Sequence, residues 1–409
     1  MSVIYQTTPT VQDQYSRNYM QLFDELQITA VSTLFQGLFA KPESKMLFSP
    51  DANDVDIDVV RAYEKIAALV PRGTISQKLG SLQKDVLTQR YSTFNRSFPL
   101  AEEEGSINAN QLLNRLAGES PYERKDRRMR MKVLAARANQ ESIKRLVRLF
   151  ELLASTSILT GKMPAILGTT DDELMYDFRR LATHIVTLAQ TWNDAAHDIC
   201  GDVYDAWKLG RVDGHVNIDF AIFGESTMNA YVNNTQIKTF ADNLRYQLVN
   251  VGSNPVPANM AWMVELGAVP RGRLELPEGP VIWIFTYLDG YETDAGVWTE
   301  YMPKEQALFG STSAETHRYF GPPERLPLDS QDRSNYRDWF GFNMDAPPMP
   351  PKIKGIGKVI SPAMFYFDAY RAEDKKKIVA RVQAAPIFAP IQTDAWVTIL
   401  NAGSAVIPE

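Results

Sequence analysis

The chain has 409 residues, 44% of them hydrophobic and 22% charged, the balance of a folded protein with two or three compact regions and a sizeable core. A net charge of −6 excludes a protein that coats nucleic acid with its whole surface. Cys200 is the single cysteine, which excludes an intramolecular disulfide and a cysteine-based zinc cluster, and His184, His197, His215 and His317 are too scattered for a sequence-local metal site.

The opening MSVIYQTTPTVQDQ lacks the charged start and apolar centre of a secretory signal, and no apolar run approaches the ~20 residues of a membrane span. Between Gln12 and Phe39 apolar residues recur at helical steps: Tyr19, Leu22, Phe23, Leu26 and Ile28, then Val31, Leu34, Phe35, Leu38 and Phe39. One or two short helices are expected there. They cannot form a core alone and should lie against another part of the chain or a neighbouring subunit.

Val55, Ile57 and Val59 alternate with Asp54, Asp56 and Asp58, the pattern of a strand with one wet face. The three acids lack the glycine and terminal glutamate of a calcium loop. Pro71 and Gly73 mark a turn. After a polar stretch, Tyr91, Thr93 and Asn95 alternate with Ser92, Phe94 and Arg96, predicting a return strand. The two strands imply a long projecting hairpin that needs a partner surface. Glu102, Glu103 and Glu104 read as a solvated turn, and Ile107 to Leu116 as a short helix.

From Pro121 to Lys162 no proline or glycine intervenes until Gly161, and strong helix formers dominate. Ser120 suits the N-cap, Pro121 the first turn and Gly161 the stop. A helix of roughly 40 residues would span about 60 Å. Its apolar stripe is narrow (Met131, Leu134, Ala138, Leu146, Leu149, Phe150 and Leu153), with a polar gap at Ser142 that breaks a strict heptad. Its first half carries Arg124, Lys125, Arg127, Arg128, Arg130 and Lys132. That face meets solvent, another subunit or a polyanion.

Leu174 to Trp192 has a helical period in Phe178, Leu181, Ile185 and Leu188, continued by Trp192, Ala195, Ile199, Val203 and Ala206. His197 and Cys200 sit one turn apart. With no orienting third group or pocket identifiable, they read as a neutral histidine near a buried thiol rather than a nucleophile pair. Val216 to Phe223 predicts a strand, Ser226 to Val232 and Thr239 to Leu248 helices, and Pro280 to Tyr287 the most apolar strand of the chain. Gly224 and Thr160-Gly161-Lys162 lack the companions of a phosphate loop.

Leu288 to Gly296 reads as a hairpin tip and Tyr301 to Pro303 as the start of a strand. Prolines at 322 and 323 and from Pro347 to Pro351 mark a surface excursion over 322–358. Strands follow at Phe365 to Tyr370, at Lys375 to Ala384 paired with it, and at Ala395 to Leu400. Pro386 and Pro390 restrict Ile387 to Ala389 to an edge or a loop.

Several motifs then occur in a telling order. Asp56-Ile57-Asp58 leads through Glu64-Lys65-Ile66-Ala67 to Val70-Pro71-Arg72-Gly73. Phe98-Pro99 leads to Ile107 through Leu112. The long helix ends in Glu151, Leu159, Thr160, Gly161 and Lys162. Asn217 to Gly224 and Ala230 to Asn233 follow, then Tyr301-Met302-Pro303 and Tyr319-Phe320-Gly321-Pro322. This order resembles the major capsid protein E family of tailed bacteriophages, the lambda type.

The resemblance implies an α+β, Hong Kong 97-type capsid fold. It would comprise an N-terminal arm and first strand (1–60), an extended loop hairpin (61–100) and a peripheral domain (101–190) with the spine helix at 121–162. Strands from about 280–320 and 360–385 would complete the peripheral domain. An axial domain (191–280) would be completed by 386–409. The implied function is a head protein assembling as hexamers and pentamers into an icosahedral shell around double-stranded DNA, without catalytic residues, metal, cofactor or membrane. No scaffolding extension is seen before the arm, so a separate scaffolding protein is expected, with a portal and a decoration protein as further partners. The location implied is the virion, and the host cytoplasm during assembly.

Inter-subunit contacts are expected at Lys78, Lys84, Arg90 and Arg96, with Glu102, Glu103 and Glu104 as acidic partners. The spine-helix cations Arg124, Lys125, Arg127, Arg128 and Arg130 would face a neighbour first and DNA, non-specifically, second. A soluble two-domain α/β enzyme and an encapsulin-like cellular shell are the alternatives. Nothing local activates a lysine–asparagine crosslink.

Overall fold

The computed structural model describes residues 32–40, 44–48, 54–60, 91–97, 101–108, 127–164, 175–195, 197–242, 246–248, 256–276, 279, 281–293, 296–321, 366–371 and 377–403. Two continuous apolar runs lie at its centre. Phe220–Phe223 (FAIF) is buried at every position, and Val281–Thr286 (VIWIFT) at all but the first. Such runs belong to strands covered on both faces. They pair in parallel inside a seven-stranded mixed sheet. Its order is Ile185–Thr187, Val397–Leu400, Ala307–Gly310, Phe220–Phe223, Val281–Thr286, Val269–Glu275, Tyr246–Leu248.

Alternation along these strands divides the core. Phe220, Ile222, Trp283, Phe285 and Leu308 point into one apolar cluster; Ala221, Phe223, Ile282, Ile284, Ala307 and Phe309 point into another. Helices Ile199–Val212 and Glu225–Asn233 close the second cluster through Val203, Ala206 and Tyr231, with Trp192 stacked edge-on against Phe223. The first cluster continues to the long helix.

That helix runs from Arg127 to Thr160, 34 residues. Ile143, Leu146, Val147, Phe150, Leu153, Ala154 and Ile158 recur every three or four residues on its buried face. It packs on two three-stranded sheets and on the short helix Leu34–Leu38. One sheet has Lys377–Ala384 between Tyr366–Arg371 and Ala101–Asn108, all antiparallel. The other has Thr316–Phe320 between Lys45–Phe48, parallel, and Pro386–Pro390, antiparallel. Pro386–Pro390 takes the edge, where a missing N–H is tolerated. Asp54–Val60 and Tyr91–Ser97 pair as a separate antiparallel ribbon.

Several local expectations are corrected. Of the segment Leu174 to Trp192, the described part, Met175 to Trp192, holds only the 3-10 turn Ala182–His184 in place of the expected α-helix. Met175–Asp177 pairs with Lys162–Pro164, Arg179 turns the chain with a φ of 57°, and Ile185–Thr187 is an edge strand. The β-branched Ile-Val-Thr run found a strand partner at Thr398–Leu400, which outweighed a helical period. Glu102–Glu104 and Ile107 lie in a strand, not in a turn and a helix, because Lys377–Ala384 supplies its partner along the full length. The helix placed at Thr239 to Leu248 is Thr235–Asp242, and Tyr246–Leu248 is a strand. Tyr301 to Pro303 is a bend, with the N–H of Gln306 returning to the carbonyl of Pro303, and the next strand is Ala307–Gly310.

Strand membership also differs from chain order. Val281–Thr286 and Ala307–Gly310, expected beside the long helix, join Phe220–Phe223 in the seven-stranded sheet; Pro386–Pro390, expected with residues 191–280, packs on the long helix. The long helix ends at Gly161, φ 71°, as the sequence predicts. Residues 121–126, the hairpin tip at 61–90 and the proline-rich excursion at 322–358 lie outside the described residues, as does the arm before residue 32.

Gly224, unexplained by a phosphate loop, has a packing reason. A Cβ there would overlap the carbonyl oxygen of Pro303 and lie 2.6 Å from that of Lys304, and backbone does not yield easily. Gly224→Ala is expected to cost about 3 kcal/mol, measured as the shift in urea unfolding. An unchanged midpoint would show that the 303–304 bend gives way freely.

Candidate functional site

The long helix is a hub, and its buried polar groups show how. The five-residue helix Leu34–Leu38 follows Thr33, whose side chain makes no capping bond. Its first N–H groups therefore need an acceptor from elsewhere. Glu151, fully buried on the long helix, supplies both oxygens. Oε1 accepts the Phe35 N–H at 2.7 Å and Oε2 the Gln36 N–H at 3.0 Å. The Gln36 amide also donates to Oε2 at 3.2 Å and to the carbonyl of Val147 at 3.0 Å. The Tyr287 hydroxyl donates to Oε1 at 3.1 Å. One carboxylate thus joins the short helix Leu34–Leu38, the long helix and the residue after the central strand Val281–Thr286.

Burial pushes the Glu151 carboxyl up to about 7, against the backbone N–H groups of Gln36 and Phe35 and the tyrosine hydroxyl, which favour its charge. Tyr287 is raised far above its ordinary range, first by burial and then by the Glu151 and Asp289 carboxylates. Phe35 meets Tyr287 edge-on at 5.7 Å, and Tyr287 stacks on Tyr301 at 6.2 Å. The far end of the short helix is held as well: the Thr316 hydroxyl donates to the Leu38 carbonyl at 2.8 Å.

The C-terminal end of the long helix is secured by Arg180. Its Nη1 donates to the carbonyls of Ile158 at 2.8 Å and Leu159 at 3.0 Å, two groups the helix leaves without intrahelical donors. Its Nη2 donates to the carbonyls of His184 and Trp396 and to the Thr398 hydroxyl. Thr398 in turn donates to the Leu159 carbonyl at 2.8 Å. Helix end and seven-stranded sheet are therefore one joint. Burial lowers the Arg180 guanidinium to about 9, with Asp394 opposing, so it stays cationic at neutral pH. Ser157 adds a bond to the carbonyl of Phe388 at 2.7 Å.

Of the residues expected at subunit contacts, Arg96 lies in the ribbon opposite Val55. Glu102, Glu103 and Glu104 lie opposite Gln383, Val382 and Arg381. The ribbon and the acid-bearing strand belong to different sheets. Arg127, Arg128 and Arg130 occupy the first turns of the long helix. Lys78, Lys84, Arg90, Arg124 and Lys125 fall outside the described residues. Sequence reading named Glu151 only as part of the helix-end motif, with no role, and missed Arg180. The first had one signal, a lone acid in the apolar run LFELLAS; the second had none.

The arrangement offers adhesion rather than reaction chemistry. His197 is bound to Asp202 at 2.7 Å and Asp202 accepts the Trp192 indole N–H at 2.7 Å, so this histidine is a structural tie and not merely a neighbour of the buried Cys200. Among the described residues no group of three His, Cys, Asp or Glu is placed to hold a metal, and no helix is long and apolar enough to cross a membrane.

A family model described as phage major capsid protein E matches residues 76–401. The sequence has no match among curated proteins. Among solved structures, the protein assigned as the capsid protein of a prophage in E. coli CFT073 is 14% identical, covers 95% of this chain and 98% of its own, and has a TM-score of 0.58. A phage-related protein from Bordetella bronchiseptica RB50 is 11% identical over 96% and 98%, with a TM-score of 0.44. An encapsulin complex subunit from Synechococcus elongatus PCC 7942 is 8% identical over 94% of each chain, at 0.39. The last two likenesses decide nothing at those scores; the first shows a shared fold. The long helix on its sheets, with the larger sheet beyond, is the Hong Kong 97-type capsid fold. Since the family model spans most of the sequence and the shared fold runs from end to end, the chain belongs to the phage major capsid protein E family.

Proposed function

We propose that copies of this chain close as hexamers and pentamers into an icosahedral shell around the double-stranded DNA of a tailed phage. Family membership makes the chain a major capsid protein, a non-enzymatic virion component that assembles with itself into a shell. The observation that carries the finer reading is the ribbon Asp54–Val60 with Tyr91–Ser97. It is a two-stranded sheet that joins the core of its own chain at Ile57, and such a ribbon is marginal without a further surface along its length. A neighbouring subunit supplies that surface in a closed lattice.

On this reading residues 1–60 are the arm and first strand, 61–100 the extended loop, the long helix with its three-stranded sheets the peripheral domain, and the seven-stranded sheet the axial domain. Lys78, Lys84, Arg90 and Arg96 of one copy meet Glu102, Glu103 and Glu104 of the next. The helix cations Arg124, Lys125, Arg127, Arg128 and Arg130 serve a neighbour first and packaged DNA second, through phosphates. A separate scaffolding protein, a portal and a decoration protein complete the head, which is built in the host cytoplasm. The excursion at 322–358 is a further contact surface.

The test is to produce the chain with phage scaffolding and inspect it by negative-stain microscopy. Capsomers or closed shells are expected. A chain that stays monomeric at high concentration overturns the reading. Deleting 78–90 is expected to leave a folded subunit that does not assemble; normal shells from that variant would remove the hairpin from the assembly surface.

A further inference from the structure

Two exposed patches of opposite charge flank the seven-stranded sheet. The first is the hairpin that pairs Gly290–Glu292 with Trp298–Glu300. Val297 is 59% exposed and Trp298 58%. Glu292 stands directly across from Trp298, and Glu300 lies two residues along the same strand, so both carboxylates share a face with the indole. Beside them a cavity of about 300 Å³ is lined by Trp298, Thr299, Glu300, Pro303 and Lys304. Lys304 is the one cation of 288–305, and it is already engaged by Glu225 at 3.3 Å and Glu300 at 3.5 Å. Glu292 is exposed and makes no ion pair among the described residues. A displayed tryptophan bordered by negative charge suits a cation set beside a small apolar group, and it repels nucleic-acid phosphates.

The second patch is the outer face of the helix Ile199–Val212. Ile199, Val203, Ala206 and Gly210 are buried on its inner face. Tyr204, Lys208, Arg211 and Val212 recur at three- and four-residue steps on the other side. Lys208 and Arg211 are exposed and form no ion pair among the described residues, and Val212 is 57% exposed. Two of the acids near them are committed elsewhere: Asp202 holds His197 and Trp192, and Asp213 holds His184 at 3.2 Å. Asp205 remains on the flank of this face.

Within one copy the two patches do not meet. Tyr287 and Tyr301 at the hairpin base belong to the first apolar cluster, whereas the helix closes the second, on the other side of the sheet. The helix ends ahead of Phe220, the first residue of the central strand Phe220–Phe223. Glu225, which binds Lys304 near the hairpin base, follows the last. The patches therefore lie at opposite ends of that strand and on opposite faces of its sheet. A contact between them joins unlike surfaces of two copies, the head-to-tail kind that builds rings and lattices.

We propose that the Trp298 hairpin of one copy is an assembly contact that seats on the Lys208, Arg211 and Val212 face of the next copy. This rests on the shell reading. Tryptophan and arginine are the side chains most enriched at interface hot spots, and a guanidinium over an indole adds a cation–π contact. The test uses the full chain with scaffolding, with assembly read by sedimentation and folding by thermal unfolding. Trp298→Ala and Arg211→Glu are each expected to keep the wild-type unfolding midpoint and to lower the assembled fraction at least tenfold. Pairing Arg211→Glu with Glu292→Arg is expected to recover assembly. Wild-type assembly by either single variant overturns the proposal, as does a pair no better than Arg211→Glu alone. Should a single variant unfold early, proximity decides. A chain carrying Val297→Cys and Val212→Cys, oxidised after assembly, is expected to run as disulfide-linked oligomers on a non-reducing gel, with the wild-type chain, whose Cys200 is buried, as control. Shells of that variant that yield only monomers overturn the contact. A wild-type chain that never assembles instead removes the shell reading itself.

Discussion

Glu151→Ala is expected to destabilise the folded subunit by about 3–5 kcal/mol, read from urea or guanidinium unfolding. The substitution strips the acceptor from the Phe35 and Gln36 N–H groups, the Gln36 amide and the Tyr287 hydroxyl, all in a site without solvent. Each buried donor left without a partner costs about 1–3 kcal/mol, less whatever the cavity regains from water. The short helix Leu34–Leu38 should be the first element to loosen, with faster amide exchange at Phe35 and Gln36 than elsewhere. A loss under about 1 kcal/mol would mean that another group caps that helix.

The same residue sets a pH dependence. In the unfolded chain its carboxyl titrates near 4.5, and in the folded protein burial lifts it to about 7. Between those values the folded state holds a proton that the unfolded state has lost. The stability contributed by this group is therefore complete below pH 4.5 and is lost as pH rises through 7, a change of roughly 3 kcal/mol. Glu151→Gln cannot titrate. Relative to wild type it should gain about that amount between pH 4.5 and 7.5, on top of a constant penalty for presenting an amide N–H₂ to backbone donors. Parallel curves for the two proteins would show that Glu151 does not titrate in this range.

Arg180→Ala should cost about 3–4 kcal/mol. It removes donors from the carbonyls of Ile158, Leu159, His184 and Trp396, and it removes the cation that opposes the buried Asp394. Arg180→Lys should recover little, because one ammonium cannot span a helix end and a strand as the two arms of a guanidinium do. The decisive measurement is amide exchange at 157–161 alongside unfolding. Faster exchange there with a lower midpoint places Arg180 in the joint between helix and sheet. Full rescue by lysine would reduce its role to charge alone.

Read residue by residue, local pattern carried much of this fold. Freedom from glycine and proline marked the long helix and its stop at Gly161. Alternation in DVDIDVV and YSTFNRS marked the ribbon, and the apolar runs FAIF and VIWIFT marked two strands, though not the sheet they share. Such patterns report how a segment divides itself between core and water, which neighbouring residues suffice to set.

The ordered motifs also carried the family, because their sequence along the chain needs no knowledge of contacts. What tertiary structure alone decided was partnership. Ile185–Thr187 became a strand when Thr398–Leu400 came beside it, and the acid run became a strand because Lys377–Ala384 lay along it. Glu151 was one residue of a helix-end motif, without a role, until Phe35 and Gln36, more than a hundred positions away, brought N–H groups that needed it. Arg180 carried no signal at all, since the carbonyls it serves come from a helix end and a strand separated by over two hundred residues. A buried polar group is tolerated only where its partners converge, and that convergence is a property of the folded chain, invisible to any window of sequence.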